Sequence, residues 1–379
     1  MSKTSVVVLG CGRVGSAIVR DLDADDDFDV SAVDASAANL DRLRDTGAQR
    51  TEADLSDPDE IFRVTGDADL VVGAVPGAMG HATLRTVIEA GRDVVDISFF
   101  AQDPFTLDAL ARERGVVALV DCGLAPGLSN LFLGRMEEEL DRVDRFRCLV
   151  GGLPLERRMP FQYKAPFSPA DVIEEYTRPA RLREAGVDVE RPALSEVELV
   201  DLPGIGTLEA FNTDGLRTLL RTSEVPWMVE KTMRYPGHAD LMRAFRDTGL
   251  FGTEPVTTDH GTAVPRALTS RLLFQHWAFE NGEPDVSIMR IEVDGDLDGR
   301  PVHRVFDLLD RYDPATGTSS MARTTGYTCT ATVRLVAAGL YHEPGVAALE
   351  VLGRNADAFD FLMDRLNERD IVFRERDGR

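Results

Sequence analysis

Thr4-Ser5-Val6-Val7-Val8-Leu9-Gly10-Cys11-Gly12-Arg13-Val14-Gly15, running into an apolar helical pattern over Val14–Asp21, decides the fold class of this chain. Val6 to Leu9 read as a strand buried on both faces. Gly10 permits a tight turn, Gly12 lets backbone approach a pyrophosphate, and Gly15 lets helix and strand pack closely. The free N–H groups at the start of the helix, with its positive dipole end, then face phosphates. A second strand, Val30–Val33, ends in Asp34, nineteen residues after Gly15. A carboxylate there accepts hydrogen bonds from both ribose hydroxyls and repels a 2′-phosphate, which selects NAD over NADP.

The alternation continues outward from this turn. Strand patterns at Ser5–Leu9, Val30–Val33, Leu70–Ala74, Val94–Asp96 and Val116–Val120 are separated by helical patterns at Val14–Asp21, Ala37–Asp45, Asp59–Val64, Gly80–Ala90 and Phe105–Arg114. This predicts an α/β architecture, a Rossmann doubly wound parallel sheet whose ligand lies beyond the carboxyl ends of the strands. The cofactor is then lined by Gly10, Gly12, Arg13, Val14, Gly15, Asp34, Asp54, Val75 and Pro76. Around Gly123–Gly127 the rhythm breaks. Strand patterns at Phe146–Val150, Met289–Val293 and Val302–Leu309, with a turn over Asp294–Gly299 and a helix over Ala239–Asp247, predict an α+β second domain. An apolar helix at Thr328–Ala338, stopped by Gly339, is expected to return to the first domain. The resulting division is 1–122 plus 325–379 for the NAD-binding domain and 123–324 for an α+β substrate-binding and dimerisation domain.

Composition narrows the function classes. The 379 residues carry 65 acids against 42 bases, a net charge of −23. Only Lys3, Lys164 and Lys231 are lysine, so 39 of the bases are arginine. Such a surface repels nucleic acid and anionic membranes. It also repels itself unless salt shortens the Debye length, to about 3 Å at 1 M. A salt-adapted, cytoplasmic protein is expected, with no signal peptide and no membrane span. Cys11, Cys122, Cys148 and Cys329 are scattered and read as reduced, buried thiols. The histidines show no metal-ligand spacing, so no metal is expected.

Further segments run in order over nearly the whole chain: Asp121-Cys122-Gly123-Leu124-Ala125-Pro126-Gly127, Val150-Gly151-Gly152-Leu153-Pro154, Phe167-Ser168-Pro169, Glu175-Tyr176-Thr177, Pro192 to Glu198, Leu208 to Thr213, Lys231 to Ala239, and Ala322 to Thr328. Together with the glycine turn they resemble the saccharopine dehydrogenase-like family, and within it the lysine 6-dehydrogenase branch. The resemblance implies hydride transfer between a C–N bond and a nicotinamide. In saccharopine reductases the pattern has an acid before the Pro-Gly, a cysteine before the Gly-Gly and an arginine after the Phe-Asn. Here those positions hold Ala125, Val150 and Thr213. Loss of that arginine removes a bidentate carboxylate partner and favours a smaller substrate. The expected reaction is NAD-dependent oxidative deamination of an amino acid, L-lysine at its 6-amino group. The alternatives are a saccharopine or carboxynorspermidine-type reductase that forms a C–N bond, and a non-catalytic NAD-binding regulator.

Oxidising an amine requires a group that accepts a proton. Asp96 and Asp121 at strand ends, Tyr163, Lys164 and His238 are the candidates. Arg234 is the expected partner of the substrate α-carboxylate, with Glu209 and Thr213 in the substrate loop. The expected partners are an amino-acid substrate and further copies of the chain, as a homodimer or larger homo-oligomer. The charge balance generates a direct test. The melting temperature should rise as KCl increases from roughly 0.1 to 2 M, and a flat response removes the salt-adaptation reading.

Overall fold

The computed structural model describes residues 3–280 and 282–377, so the extreme ends of the expected first domain lie outside the described residues. The chain forms two compact units. The first runs to Asp141 and resumes over Ala322–Val372; the second comprises Arg142–Met321 and Phe373–Asp377.

The first unit is built on β1 (Thr4–Leu9), β2 (Phe28–Asp34), β3 (Gln49–Glu52), β4 (Leu70–Gly73), β5 (Asp93–Asp96) and β6 (Val117–Val120). They lie parallel in the order β6-β5-β4-β1-β2-β3, and Gly345–Ala348 adds a seventh parallel strand beside β6. Val6, Val8 and Leu9 are fully buried, as a sheet covered on both faces requires. From β1 the chain turns one way to β2 and later the other way to β4, so the turn after β1 sits at the switch point. The helices Arg13–Asp23, Pro58–Thr65, Gly77–Glu89 and Asp108–Arg114 connect the strands.

The first compact unit extends past the boundary expected after residue 122, to Asp141. The helix Leu128–Glu139 is held in the first unit. Its Asn130 Nδ2 donates to Glu350 at 3.1 Å, and Glu137 pairs with Arg354 at 2.8 Å. A Cβ on Gly134 would stand 2.1 Å from the Glu350 carbonyl oxygen, so glycine is what lets this helix approach. The returning helix is longer than expected, Ser320–Ala337. Arg334 ties it to the first helix through Asp21 at 2.8 Å, and Asp21 also takes Arg369 at 2.7 Å.

The second unit contains β7 (Arg142–Pro154), β8 (Ala180–Glu184), β9 (Val187–Arg191), β10 (Glu198–Leu202), β11 (Gly206–Asn212), β12 (Trp227–Arg234), β13 (Val256–Thr258), β14 (Gly261–Ala263), β15 (Asp285–Leu297) and β16 (Arg300–Arg311). The main sheet runs β10-β11-β12-β7-β15-β16, with β8 and β9 appended to β12 and with β13–β14 a separate hairpin. β12 and β7 are parallel and their neighbours antiparallel, the mixed sheet of an α+β unit. The β15–β16 turn is two residues, Asp298-Gly299, both at positive φ, rather than the longer loop expected. The last five residues of the described chain, Phe373–Asp377, pair antiparallel with β16, so this tail belongs to the second unit and not to the first. It satisfies an edge strand that would otherwise present unpaired backbone groups. The helices Pro169–Thr177, His238–Asp247 and Pro265–Trp277 share a core with the sheet, with Ile173, Tyr176, Phe211, Met242, Leu273, Trp277 and Ile288 at its centre.

Candidate functional site

The turn after β1 has the geometry a dinucleotide requires. Gly10 takes φ +97°, and a Cβ there would lie 2.4 Å from the Ala74 carbonyl oxygen. A Cβ on Gly15 would lie 1.9 Å from the Gly10 carbonyl oxygen. A Cβ on Gly12 would meet nothing within 4 Å, so the open side of the turn is at Gly12. No side chain caps the helix that starts at Arg13. Its positive dipole end lies at the glycine turn, which is what a phosphate site uses. The Asp34 carboxylate accepts from the backbone N–H of Cys11 and of Ser36, each at 2.7 Å, and from Asn39 Nδ2 at 3.2 Å. It is thereby held against the glycine turn.

The other expected cofactor residues divide. Val14 lies half-buried in the helix, Arg13 is exposed, Val75 is buried, and Pro76 is the exposed residue before Gly77–Glu89. Asp54 is exposed and turns its carboxylate onto Ser56, accepting from its N–H at 2.9 Å and its hydroxyl at 2.7 Å. Asp96 is fully buried at the end of β5, where Oδ1 accepts from Ser98 N–H at 2.7 Å. It fits only because residue 73 is glycine: a Cβ there would lie 1.9 Å from Asp96 Oδ2. Asp121 follows β6 at φ +55° and is also buried. Burial pushes the neighbouring Cys122 thiol well above its ordinary range, with Cys329, Asp121 and Asp96 adding to the effect. All four cysteines are free and buried.

In the second unit the register places a charged set on one face. Glu209 opposes Arg234 and Phe211 opposes Thr232 across β11 and β12, and alternation puts Glu230 on the same side. Arg234 is buried at the end of β12. Its Nη2 donates to Glu175 Oε2 at 2.8 Å, its Nη1 to the Met233 carbonyl at 3.0 Å, and Nε and Nη2 reach the Tyr176 and Tyr163 hydroxyls at 3.4 Å. The guanidinium stacks over Tyr163, 4.5 Å from the ring centre. Tyr176 Oη lies 2.9 Å from His238 Nε2, and His238 Nδ1 lies 3.2 Å from the Phe161 carbonyl. A carbonyl only accepts, so Nδ1 carries the proton and Tyr176 donates to Nε2. Burial, reinforced by the Arg234 charge, pushes His238 down to about 3 and keeps the ring neutral. Burial likewise pushes Tyr176 up to about 12 and Tyr163 well above its ordinary value. The expected candidates Tyr163, His238 and Arg234 thus meet in one cluster.

Three expected residues have other partners. Glu209 accepts from the Gly237 and Ala239 N–H groups, at 2.8 and 2.5 Å. It caps the helix that carries His238, which makes it a positioning carboxylate. Lys164 is paired with Glu283. Burial raises the Glu283 carboxyl, but the bonds from Lys164 and the Glu280 N–H outweigh it and hold Glu283 low. Thr213 donates to Glu230 Oε2 at 2.6 Å and shares a 2.8 Å bond with Thr232.

Glu175 and Tyr176, read in the sequence only as part of a family segment and given no role, and Glu230, not singled out, join the cluster. Glu230 is buried, and its carboxyl fits against Gly215, where a Cβ would come within 2.4 Å. Burial pushes Glu230 up to about 8, the Thr213 bond pulls against this, and Glu175 and Asp214 add to the rise. The signal was a Glu-Lys-Thr-Met-Arg run in a strand otherwise fit for a sheet interior. A carboxyl raised on folding stabilises the fold while it stays neutral. That contribution is complete below its ordinary value of 4.5 and is lost as pH rises through about 8. Between about pH 7 and pH 9 the Glu230→Gln variant should therefore lose less melting temperature than the parent. His238 does not titrate in that window. Parallel pH curves for the two proteins would show that Glu230 is ionised throughout.

The family models divide the chain between residues 119 and 123, at the boundary expected from the sequence and not at Asp141. The saccharopine dehydrogenase NADP binding domain matches residues 6–119, and the saccharopine dehydrogenase C-terminal domain matches residues 123–372. A saccharopine dehydrogenase [NADP(+), L-glutamate-forming] of Saccharomyces cerevisiae is 24% identical over 259 residues, covering 65% of this chain and 58% of that protein. The Schizosaccharomyces pombe protein of the same name is 21% identical over 372 residues, covering 78% of this chain and 82% of its own. A carboxyaminopropylagmatine dehydrogenase of Synechocystis is 25% identical, covering 54% of this chain and 55% of that protein. The structure of apo saccharopine dehydrogenase (L-Glu forming) from Saccharomyces cerevisiae aligns over 99% of this chain and 100% of its own, with a TM-score of 0.81 at 19% identity. Two family domains matched in chain order, on a shared fold, carry one conclusion: the chain belongs to the saccharopine dehydrogenase family.

Proposed function

We propose that this family member is an NAD-dependent amino-acid dehydrogenase that oxidises L-lysine at its 6-amino group, the product aldehyde closing to a piperideine carboxylate. The observation that carries the reading is the charge set on the shared face of β11 and β12. Arg234 is the one cation there, alongside Glu209, Thr213, Glu230 and Thr232. One guanidinium grips one carboxylate. A substrate with a glutamate arm needs further cations, and Thr213 spends its hydroxyl on Glu230 and Thr232.

The first unit's glycine turn and Asp34 would hold the cofactor. When bound, its nicotinamide supplies a two-electron acceptor for substrate hydride. Asp34 favours NAD because a 2′-phosphate would bring like charge against its carboxylate. Overall, lysine, NAD⁺ and water become the semialdehyde, NADH, ammonium and one proton. Glu230, raised to about 8, receives a proton from an ammonium group only in its ionised form, which is populated as pH approaches that value. Arg234 orients the amino acid by its α-carboxylate.

The names of the relatives favour a second reading, an NADP-linked enzyme that makes or breaks a secondary amine. A substrate and cofactor panel followed at 340 nm in molar KCl separates the two. Lysine with NAD⁺ should give NADH, and saccharopine with NADP⁺ should give no signal. Asp34→Ala should weaken NAD use and relax discrimination against NADP. Arg234→Ala should lower kcat/KM for lysine by about two decades while leaving weak cadaverine turnover little changed. Preference of the parent for NADP⁺, or turnover of saccharopine, would overturn the proposal.

A further inference from the structure

The Glu175–Arg234 pair is incompletely made. A guanidinium and a carboxylate can form two parallel bonds, yet only Glu175 Oε2 meets Arg234, through Nη2 at 2.8 Å. The remaining side-chain contacts of Arg234, to the Tyr176 and Tyr163 hydroxyls, are both stretched to 3.4 Å. The two partners also differ in access. The Glu175 side chain, in the last turn of Pro169–Thr177, is 20% exposed, while that of Arg234 is 3% exposed. Glu175 is the member of the pair that solvent reaches more readily.

This arrangement discriminates between ligands. A ligand carrying only a carboxylate could reach the guanidinium only by displacing Glu175, leaving that acid in a mostly buried place without a counter-charge, beside Asp171. A ligand carrying a carboxylate and an ammonium on one carbon leaves no charge unpaired. Its carboxylate replaces the two stretched tyrosine contacts on the Nε–Nη2 edge of Arg234, and its ammonium takes Glu175. We infer that Glu175 is a specificity-determining residue that binds the α-ammonium of the amino-acid substrate, making the Glu175–Arg234 pair a receptor for the whole zwitterion. The inference rests on the amino-acid substrate proposed above and adds what recognises its second charge.

Three ligands isolate the term: L-lysine, 6-aminohexanoate (lysine without the α-amine) and cadaverine (lysine without the α-carboxylate). Their binding to the full-length protein is measured by calorimetry in molar KCl, with the parent, Glu175→Gln and Glu175→Asp. The parent should bind L-lysine at least tenfold more tightly than 6-aminohexanoate. Glu175→Gln should weaken L-lysine about tenfold or more and leave 6-aminohexanoate unchanged or tighter, since the guanidinium is no longer ion-paired. Glu175→Asp, which keeps the charge, should recover part of the preference. Equal affinity of the parent for L-lysine and 6-aminohexanoate overturns the inference without any variant, even where lysine is oxidised. Equal weakening of both ligands in Glu175→Gln makes Glu175 a structural pin for its helix and overturns it too. Failure of the parent to bind any of the three overturns the substrate proposal, and this inference with it.

Discussion

A guanidinium that cannot lose its proton, buried among aromatic rings, is the constraint from which the second unit's architecture follows. Arg234 has no neutral form available, and removing such a charge from water is costly unless it is paired. Every element around it answers that demand. Pro169–Thr177 contributes Glu175 and the Tyr176 hydroxyl, the loop before it contributes Tyr163 as a stacked face, and β12 contributes its own Met233 carbonyl. Burial, reinforced by repulsion from Arg234, keeps the neighbouring His238 ring unprotonated, and it accepts from Tyr176. Glu209 completes the frame by seizing the N–H groups that begin the histidine's helix.

The first unit meets the opposite problem, that of bringing an anion close to backbone without a clash. Gly10 and Gly15 are required by the protein's own packing, since side chains there would strike Ala74 and Gly10. Gly12 is different, because a methyl group would meet no protein atom. What glycine preserves at that position is space on the ligand side. Asp34 is tied to this turn through the Cys11 N–H. The carboxylate proposed to read the ribose is therefore held by the same peptide segment proposed to meet the pyrophosphate.

How much of this could be read from residues alone depends on the range of each interaction. The glycine turn, the alternating strands and helices, and the Asp-Gly reversal between β15 and β16 are local patterns and were legible. The tail was not. Phe373-Arg-Glu-Arg-Asp alternates charges as a solvated end would, and only its pairing with β16, more than sixty residues earlier, makes it a strand. Arg234 was legible because it sits in a recognisable run, but its partner Glu175 lies fifty-nine residues away on a helix whose docking no spacing reports. Glu230 was missed for a related reason. A lone acid in a strand reads as an exposed position until the register sets it opposite Thr213 and against Gly215. Lys164 shows the converse, since its rarity drew attention to a side chain that is taken up by Glu283.

The charge distribution then links composition to recognition. The net charge of −23 is carried largely by acids at the surface, where pairs such as Arg44–Asp41 and Arg63–Glu60 are open to solvent. Pairs of that kind contribute little and fade as salt rises. The pairs that hold structure and bind charge are placed differently: Arg334–Asp21 in the first unit, and Lys231–Glu198 and Arg234–Glu175 in the second, each have a cation almost entirely withdrawn from water. Ions in solution reach such a cation poorly, so its interaction with a partner survives at a Debye length of about 3 Å. An amino acid is recognised by its charges, and in concentrated salt an exposed receptor for those charges would be screened. On the proposal above, a guanidinium almost entirely withdrawn from water beside a single carboxylate keeps its attraction for a zwitterion under conditions where the protein's surface pairs have lost theirs.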